Sequence, residues 1–203
     1  MKVKLLAIAI LVLPLGGCID WFYKYAYDQV EVGQLNGKLI VEWVDQDKFV
    51  FLPDPDKPLT FKRKSGEVIQ PQRMYTDGGS VPTALRAVKS YSPWGYAPAF
   101  IVHDWQFVMK QCKLDCFEKY DLEKAATILD EFMKTVMENP KYCGTNRHVH
   151  SSMNQAVRSD TAKEYWEQGK CETPSGLRAG PGAAARSLQQ SATARPRFVI
   201  SFE

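Results

Sequence analysis

One adjacent imidazole–carboxylate pair, His103-Asp104, lies within a largely apolar stretch from Ala97 to Val108. Helical spacing places His103 on one face with Val102 and Phe107, whereas Asp104 lies about 100° further round the helix. A titratable pair in an apolar helix is costly to bury unless it is partnered. The pair is therefore either a hydrogen-bonded structural group or a functional site.

A polar loop precedes this helix, with the sequence Thr76-Asp77-Gly78-Gly79-Ser80-Val81-Pro82. Its two glycines permit positive φ angles and the close approach of another group to the backbone. Asp77 is suited to accept backbone N–H bonds, to bind a cation or to orient the histidine, and Ser80 is suited to cap the next helix. A tight Asp-Gly turn followed by a helix cap explains the same loop without any chemistry.

The first functional hypothesis is a hydrolase that acts on an ester or amide of the cell envelope. Its candidate catalytic residues are His103, Asp104, Asp77 and Ser80, with the histidine as general base or Ser80 as a nucleophile activated by it. In a metal-assisted form, a calcium or zinc ion stabilises the oxyanion. The candidate ligands of that ion are Asp77, His103 and Asp104, together with the backbone of Gly78 and Gly79.

The second hypothesis is a non-catalytic binding or structural protein of the envelope. Here His103 and Asp104 form hydrogen bonds with the Asp77 loop and lock the sheet to the helix. Buried histidines and aspartates are commonly satisfied structural groups. The sequence leaves open whether the protein is an enzyme.

The first residues have the features of a targeting signal. Lys2 and Lys4 precede an apolar run from Leu5 to Leu15, and two glycines then precede Cys18. This run is short for a bilayer span and is typical of a secretory signal. It resembles the lipobox of bacterial lipoproteins, which implies cleavage before Cys18 and a lipid on that cysteine. By resemblance to Gram-negative lipoproteins, Ile19 after the cysteine implies the periplasmic face of the outer membrane.

Four cysteines remain after Cys18, and an even number in an oxidising compartment predicts two disulfides. They are Cys112, Cys116, Cys143 and Cys171. A bridge within the first pair would strain a helix, so we expect this pair to crosslink to the last two. The alternative is a zinc site that requires reduced thiols, formed by Cys112, Cys116, Cys143 and either His148 or His150.

The length of 203 residues and the net charge of +3 predict one moderate domain that does not bind nucleic acid. Short β-rich segments from Gln34 to Ile69 predict a small antiparallel sheet, and apolar residues at helical spacing then predict three to four helices. The fold class is therefore α+β. The predicted divisions are a signal peptide (1–17), an anchor and spacer (18–33), one α+β domain (34–171) and a disordered tail (172–203).

Particular helices follow from the same spacing. Residues 121–137 predict a helix that starts at Asp121 and ends before Pro140. A further continuous helix is predicted from about His148 or Ser151 to Gln168, with His148 and His150 exposed near its start.

The loop and the His103 helix together resemble the bacterial and phage family called domain of unknown function thirteen fifty-three. Residues 76–82 are similar to its T-D-G-x-S-[IV]-P loop, and residues 99–107 to its A-x-x-x-H-D-[WL]-x-[YF] helix. Ala156-Val157-Arg158 is similar to a late A-V-R element. The resemblance differs in the third helix, where an Ala-Asp pair is expected but Thr127 follows Ala126 and Asp130 comes a turn later. It implies a fold, candidate residues and a bacterial or prophage origin, but no activity.

A second resemblance is local. His103-Asp104-x-x-Phe107 is similar to the helix of secreted phospholipases, in which the histidine is the base and the aspartate binds calcium. The cysteines that flank that helix in phospholipases are replaced here by Ile101, Val102 and Gln106.

Overall fold

The computed structural model describes residues 16–46, 48–77, 96–140, 144–174 and 197–202. The strands in these ranges are β1 (Gln34–Asp45), β2 (Lys48–Phe51), β3 (Thr60–Lys62), β4 (Val68–Ile69), β5 (Met74–Thr76) and β6 (Arg197–Phe202). The helices are α1 (Gly16–Gln29), α2 (Ala97–Cys112), α3 (Leu122–Glu138), α4 (Arg147–Ala156) and α5 (Asp160–Gln168), with a 3-10 turn at Phe117–Lys119. An antiparallel sheet with helices confirms the predicted α+β class.

The sheet is built around β1, and its strand order is β4-β3-β1-β2-β5, with β6 also paired to β1. Gly37 lies where the partner of β1 changes from β3 to β6. Its φ is 96°, and a Cβ there would lie 2.1 Å from the Pro58 carbonyl oxygen. Glycine is required at this position because only it combines a positive φ with such a close backbone approach.

The core lies between one face of the sheet and helices α2 and α3. Leu39 and Phe51 from the sheet are fully buried, as are Ile128 and Phe132 from α3. Phe61 from β3 stacks at a tilt on Phe132, with 4.7 Å between ring centroids. The predicted helix of residues 121–137 is confirmed as α3, and Asp121 caps it by accepting a 2.7 Å hydrogen bond from the Lys124 backbone N–H.

Two charged groups fix α3 in place. Arg63 from β3's end donates two 2.7 Å hydrogen bonds to the carboxylate of Glu131. Lys134, with its side chain only 8% exposed, donates from Nζ to the carbonyl oxygens of Tyr27 at 3.0 Å and Val30 at 2.8 Å. These carbonyls end α1, so the lysine supplies a cation where the helix dipole favours one. Helix α1 is thereby tied to the core.

The predicted disordered tail is wrong for its last residues. Residues 197–202 form β6, which pairs with β1 from Gly37 to Glu42. Phe202 is buried, and Arg197 donates to Glu42 at 3.1 Å. The prediction failed because a short apolar run cannot be recognised as a strand until its partner is known. Residues 175–196 lie outside the described part.

The predicted continuous helix up to Gln168 is also wrong, because it is divided into α4 and α5. The division falls at Val157–Ser159, where the Ser159 hydroxyl accepts a 3.3 Å hydrogen bond from the Ala162 backbone N–H. A serine that caps a new helix interrupts the preceding one. His148 is exposed as predicted, but His150 is buried, with its Nε2 3.1 Å from the Asp130 carbonyl oxygen.

Of the two expected disulfides, the one through Cys116 is not formed. A disulfide joins Cys112 at the end of α2 to Cys171 beyond α5. Cys116 is a free, exposed thiol, so the expected crosslink through it is not formed. It follows the turn that ends α2, where its φ of 68° belongs to the left-handed region and the chain leaves the core. Cys143 lies outside the described residues. The zinc alternative fails because the disulfide occupies Cys112 and His150 faces the core.

Candidate functional site

The structure brings β5 against the His103 helix at Asp104. The Thr76 hydroxyl at the end of β5 donates a 2.7 Å hydrogen bond to Asp104 Oδ2. Asp77 follows directly and lines the same cavity as Asp104. The polar loop and the helix therefore meet at the first residues of the loop. Gly78, Gly79 and Ser80 lie outside the described residues, and their predicted roles stay predictions.

Asp104 keeps its proton at pH values at which a carboxylic acid is ordinarily ionised. Burial is the largest cause, and the negative charge of Asp77 adds to it, so that the pKa of Asp104 rises to about 8. The Thr76 hydrogen bond acts in the opposite direction because it stabilises the carboxylate. At neutral pH, Asp104 is mostly a protonated acid that can give up a proton.

The surroundings of His103 shift its pKa in the opposite direction, downwards. The pKa of His103 is lowered to about 4. Burial is the largest cause, and the positive charge of Arg158 acts in the same direction, whereas the hydrogen bond to the Ala125 carbonyl acts in the opposite direction. The ring Nδ1 lies 3.2 Å from the Ala125 carbonyl oxygen. A carbonyl only accepts, so Nδ1 carries the hydrogen and Nε2 carries the free lone pair. His103 is a neutral imidazole with one basic nitrogen.

The two neighbours thus have pKa values pushed in opposite directions by their surroundings. A pair of titratable groups separated in this way is the pattern from which acid and base roles are assigned in enzymes. His103 contacts α3 and Asp104 contacts β5, so each side chain is oriented by a different element. The arrangement supplies one base and one acid at neutral pH.

Two cavities adjoin this pair. The first has a volume of about 420 Å³ and is lined by both His103 and Asp104, with α4 and α5 opposite. The second has a volume of about 360 Å³ and is lined by Asp104 and Asp77. Both volumes fall within the range of about 300–1,000 Å³ found for ligand sites. His103 also packs edge-on against Phe107, with 5.0 Å between ring centroids.

Sequence reasoning missed a polar network around Arg158, which links the buried Asp130 to the exposed Glu123. Arg158 donates from Nη1 to Asp130 Oδ2 at 3.0 Å and from Nη2 to Glu123 Oε1 at 2.8 Å. Asn154 also donates to Asp130 Oδ2. Burial raises the pKa of Asp130 to about 6, although the positive charge of Arg158 opposes this. The Arg158 element and Asp130 were both visible in the sequence, but their pairing across 28 residues was not.

The metal hypothesis lacks a complete ligand set in the described part of the chain. No group of three or more His, Cys, Asp or Glu side chains is placed there to hold a metal ion. The Nδ1 of His103 is used by the Ala125 carbonyl. Asp77 and Asp104 line one cavity, and His103 and Asp104 line the other, so no cavity in the described part is lined by all three candidate ligands. We therefore derive no chemical step through a metal.

Comparison with known proteins gives one match. Residues 56–143 match the family model described as "Protein of unknown function (DUF1353)". The match runs from the turn before β3 to just beyond α3, and it includes Asp77, His103 and Asp104. No curated protein and no solved structure matches the chain. The segment 56–143 is therefore similar to the DUF1353 family, which is described as being of unknown function.

Proposed function

We propose that the protein is a hydrolase of an ester or amide in the cell envelope, with His103 as general base and Asp104 as general acid. The observation that carries the proposal is that His103, with Nδ1 3.2 Å from the Ala125 carbonyl oxygen, and Asp104, whose pKa is raised chiefly by burial, line one cavity. General acid–base catalysis requires an unprotonated base and a protonated acid near the operating pH.

In the proposed reaction, Nε2 of His103 takes a proton from water as the water oxygen attacks the carbonyl carbon. The bond from that carbon to the leaving oxygen or nitrogen then breaks, and Asp104 gives its proton to the leaving group. The imidazolium finally returns the first proton to the Asp104 carboxylate, directly or through water, which restores both groups. Ser80 as nucleophile and a metal-assisted form remain predictions.

The pH dependence of the rate tests this assignment. We expect kcat/KM for a phenyl ester, whose leaving group is basic enough to need a proton, to show a bell-shaped profile, rising through about pH 4 as His103 loses its proton and falling through about pH 8 as Asp104 loses its proton. Asp104→Asn keeps an acceptor for Thr76 but has no proton to give. This variant should therefore have a lower plateau and no fall above pH 8.

A profile whose upper limb survives in Asp104→Asn would contradict the role of Asp104. The same assay with the matching anilide distinguishes ester from amide hydrolysis. If neither compound is hydrolysed at any pH, the hydrolase proposal fails.

The second candidate function is a structural or binding protein without catalysis, and one observation favours it. Asp104 accepts from Thr76, and His103 donates to the Ala125 carbonyl, so the pair links β5, α2 and α3. Under this hypothesis, the substitutions at His103 and Asp104 change stability alone.

We also propose a location at a membrane surface, through a lipid on Cys18 and on the periplasmic side of the outer membrane. Trp21, Phe22 and Tyr25 on α1 are 66%, 59% and 55% exposed. Large amphipathic aromatic side chains favour the interface between lipid and water. No helix in the described ranges is long and apolar enough to cross a membrane. The mass of the mature amino terminus, which should start at an acylated Cys18, checks the proposal, and an unmodified cysteine would refute it.

A further inference from the structure

The two cavities beside Asp104 share one boundary. Asp104, Phe107 and Tyr165 line both of them. Phe107 and Tyr165 stack on each other, with 5.6 Å between ring centroids. A molecule that extends from one cavity to the other must therefore pass the acid of the proposed site.

The first cavity is chiefly apolar. Beyond His103 and Asp104, its walls include Phe100 from α2, Met153 and Ala156 from α4, and Ala162 from α5. Phe100 and Met153 are almost fully buried members of the hydrophobic core. Such a lining favours a hydrocarbon chain, because apolar surface gains free energy on leaving water.

The second cavity is polar, and its charges balance. Lys48 and Lys170 line it together with Asp77 and Glu172, and with Asp104, which burial keeps mostly uncharged at neutral pH by raising its pKa to about 8. Lys48 Nζ and Glu172 Oε2 lie 3.4 Å apart and form an ion pair on the wall of this cavity. Because neither sign dominates, this cavity suits a polar group without net charge better than an anionic one.

We propose that the site binds a single-chain acyl amphiphile, with the hydrocarbon chain in the cavity beside α4 and α5 and a polar head without net charge in the cavity beside Lys170. This proposal rests on the proposed hydrolase for the position of the cleaved bond, which lies at the boundary formed by Asp104. Binding itself needs neither His103 as a base nor turnover.

Calorimetry on the full chain in detergent-free buffer tests the proposal with three probes: lauroyl lysophosphatidylcholine, lauroyl lysophosphatidylglycerol and glycerophosphocholine. We expect the first probe to bind at one site per chain, and the head alone to bind at least about tenfold more weakly. Ala162→Phe fills the first cavity and should weaken binding at least about tenfold. Ala26→Phe, at an exposed position of α1 away from both cavities, is the matched control and should leave affinity unchanged.

If Ala162→Phe does not fold, the smaller Ala156→Leu replaces it, with the same expected direction. Absence of binding by the natural chain, or binding that both cavity variants leave intact, overturns the proposal. Tenfold tighter binding of lysophosphatidylglycerol overturns the choice of head group. His103→Gln should still bind the first probe. Binding of that probe by the natural chain without its hydrolysis refutes the proposed reaction alone, whereas hydrolysis of short esters by the natural chain without binding of the probe refutes the amphiphile alone.

Discussion

His103→Gln is expected to lower kcat/KM by about 10²–10⁴-fold, the range attributed to a positioned general base. Glutamine has an amide N–H that can donate to the Ala125 carbonyl as Nδ1 does now, but it offers no basic nitrogen. The variant should therefore keep the fold and lose the proton transfer. Rates of ester hydrolysis at neutral pH, measured beside urea unfolding, separate the two effects.

His150→Gln is the matched control for this substitution. Like His103, His150 is buried and has one ring nitrogen on a backbone carbonyl, that of Asp130, but it lines neither cavity beside the proposed site. Its replacement should change stability to a similar degree and leave the rate unaltered. A folded His103→Gln variant with more than a tenth of the natural rate would remove the histidine from the mechanism.

The free energy of unfolding is expected to fall by about 2 kcal/mol between about pH 6.5 and 8.5, and Asp104 is the cause. The pKa of Asp104 is raised from 3.8 to about 8 by folding, so in this range the folded state holds a proton that the unfolded state has released. Stability must then decrease as pH rises, until Asp104 ionises in both states.

The pKa shift of His103 changes the stability in the opposite direction, and this determines the pH range in which the effect of Asp104 can be measured alone. Its pKa is lowered from 6.5 to about 4 by folding, so between these values the unfolded state holds the extra proton and stability increases with pH. Below about pH 6.5 the two residues offset each other, and above it only Asp104 contributes. Urea unfolding at the two pH values should show the decrease in the natural chain and not in Asp104→Asn. An equal decrease in both proteins would assign it to another group.

Local sequence signals predicted much of the fold. The β-rich segments from Gln34 to Ile69 predicted the antiparallel sheet, and strands β1 to β4 lie within those residues. Helix α3 was predicted almost to the residue because its apolar stripe and its Asp121 cap agree. These elements depend on neighbours in sequence, which is why sequence alone identifies them.

The errors involve contacts between distant segments. Strand β6 needs β1, and His150 is buried because α4 packs its ring against Tyr27 of α1 and the Asp130 carbonyl. In the site as well, features that depend on neighbouring residues were predicted and features that depend on distant segments were not. Sequence identified His103 and Asp104, but only tertiary structure shows that a backbone carbonyl of α3 sets the tautomer of one and that burial and the charge of Asp77 raise the pKa of the other.

The pairing of β6 with β1 has a consequence for synthesis of the chain. Synthesis of the chain reaches β1 long before residues 197–202, so one edge of β1 from Gly37 to Glu42 lacks this partner until those residues have been made. An unpaired strand edge is a template for association with other chains. Removal of residues 197–202 would make that exposure permanent and leave this part of β1 as an aggregation-prone edge.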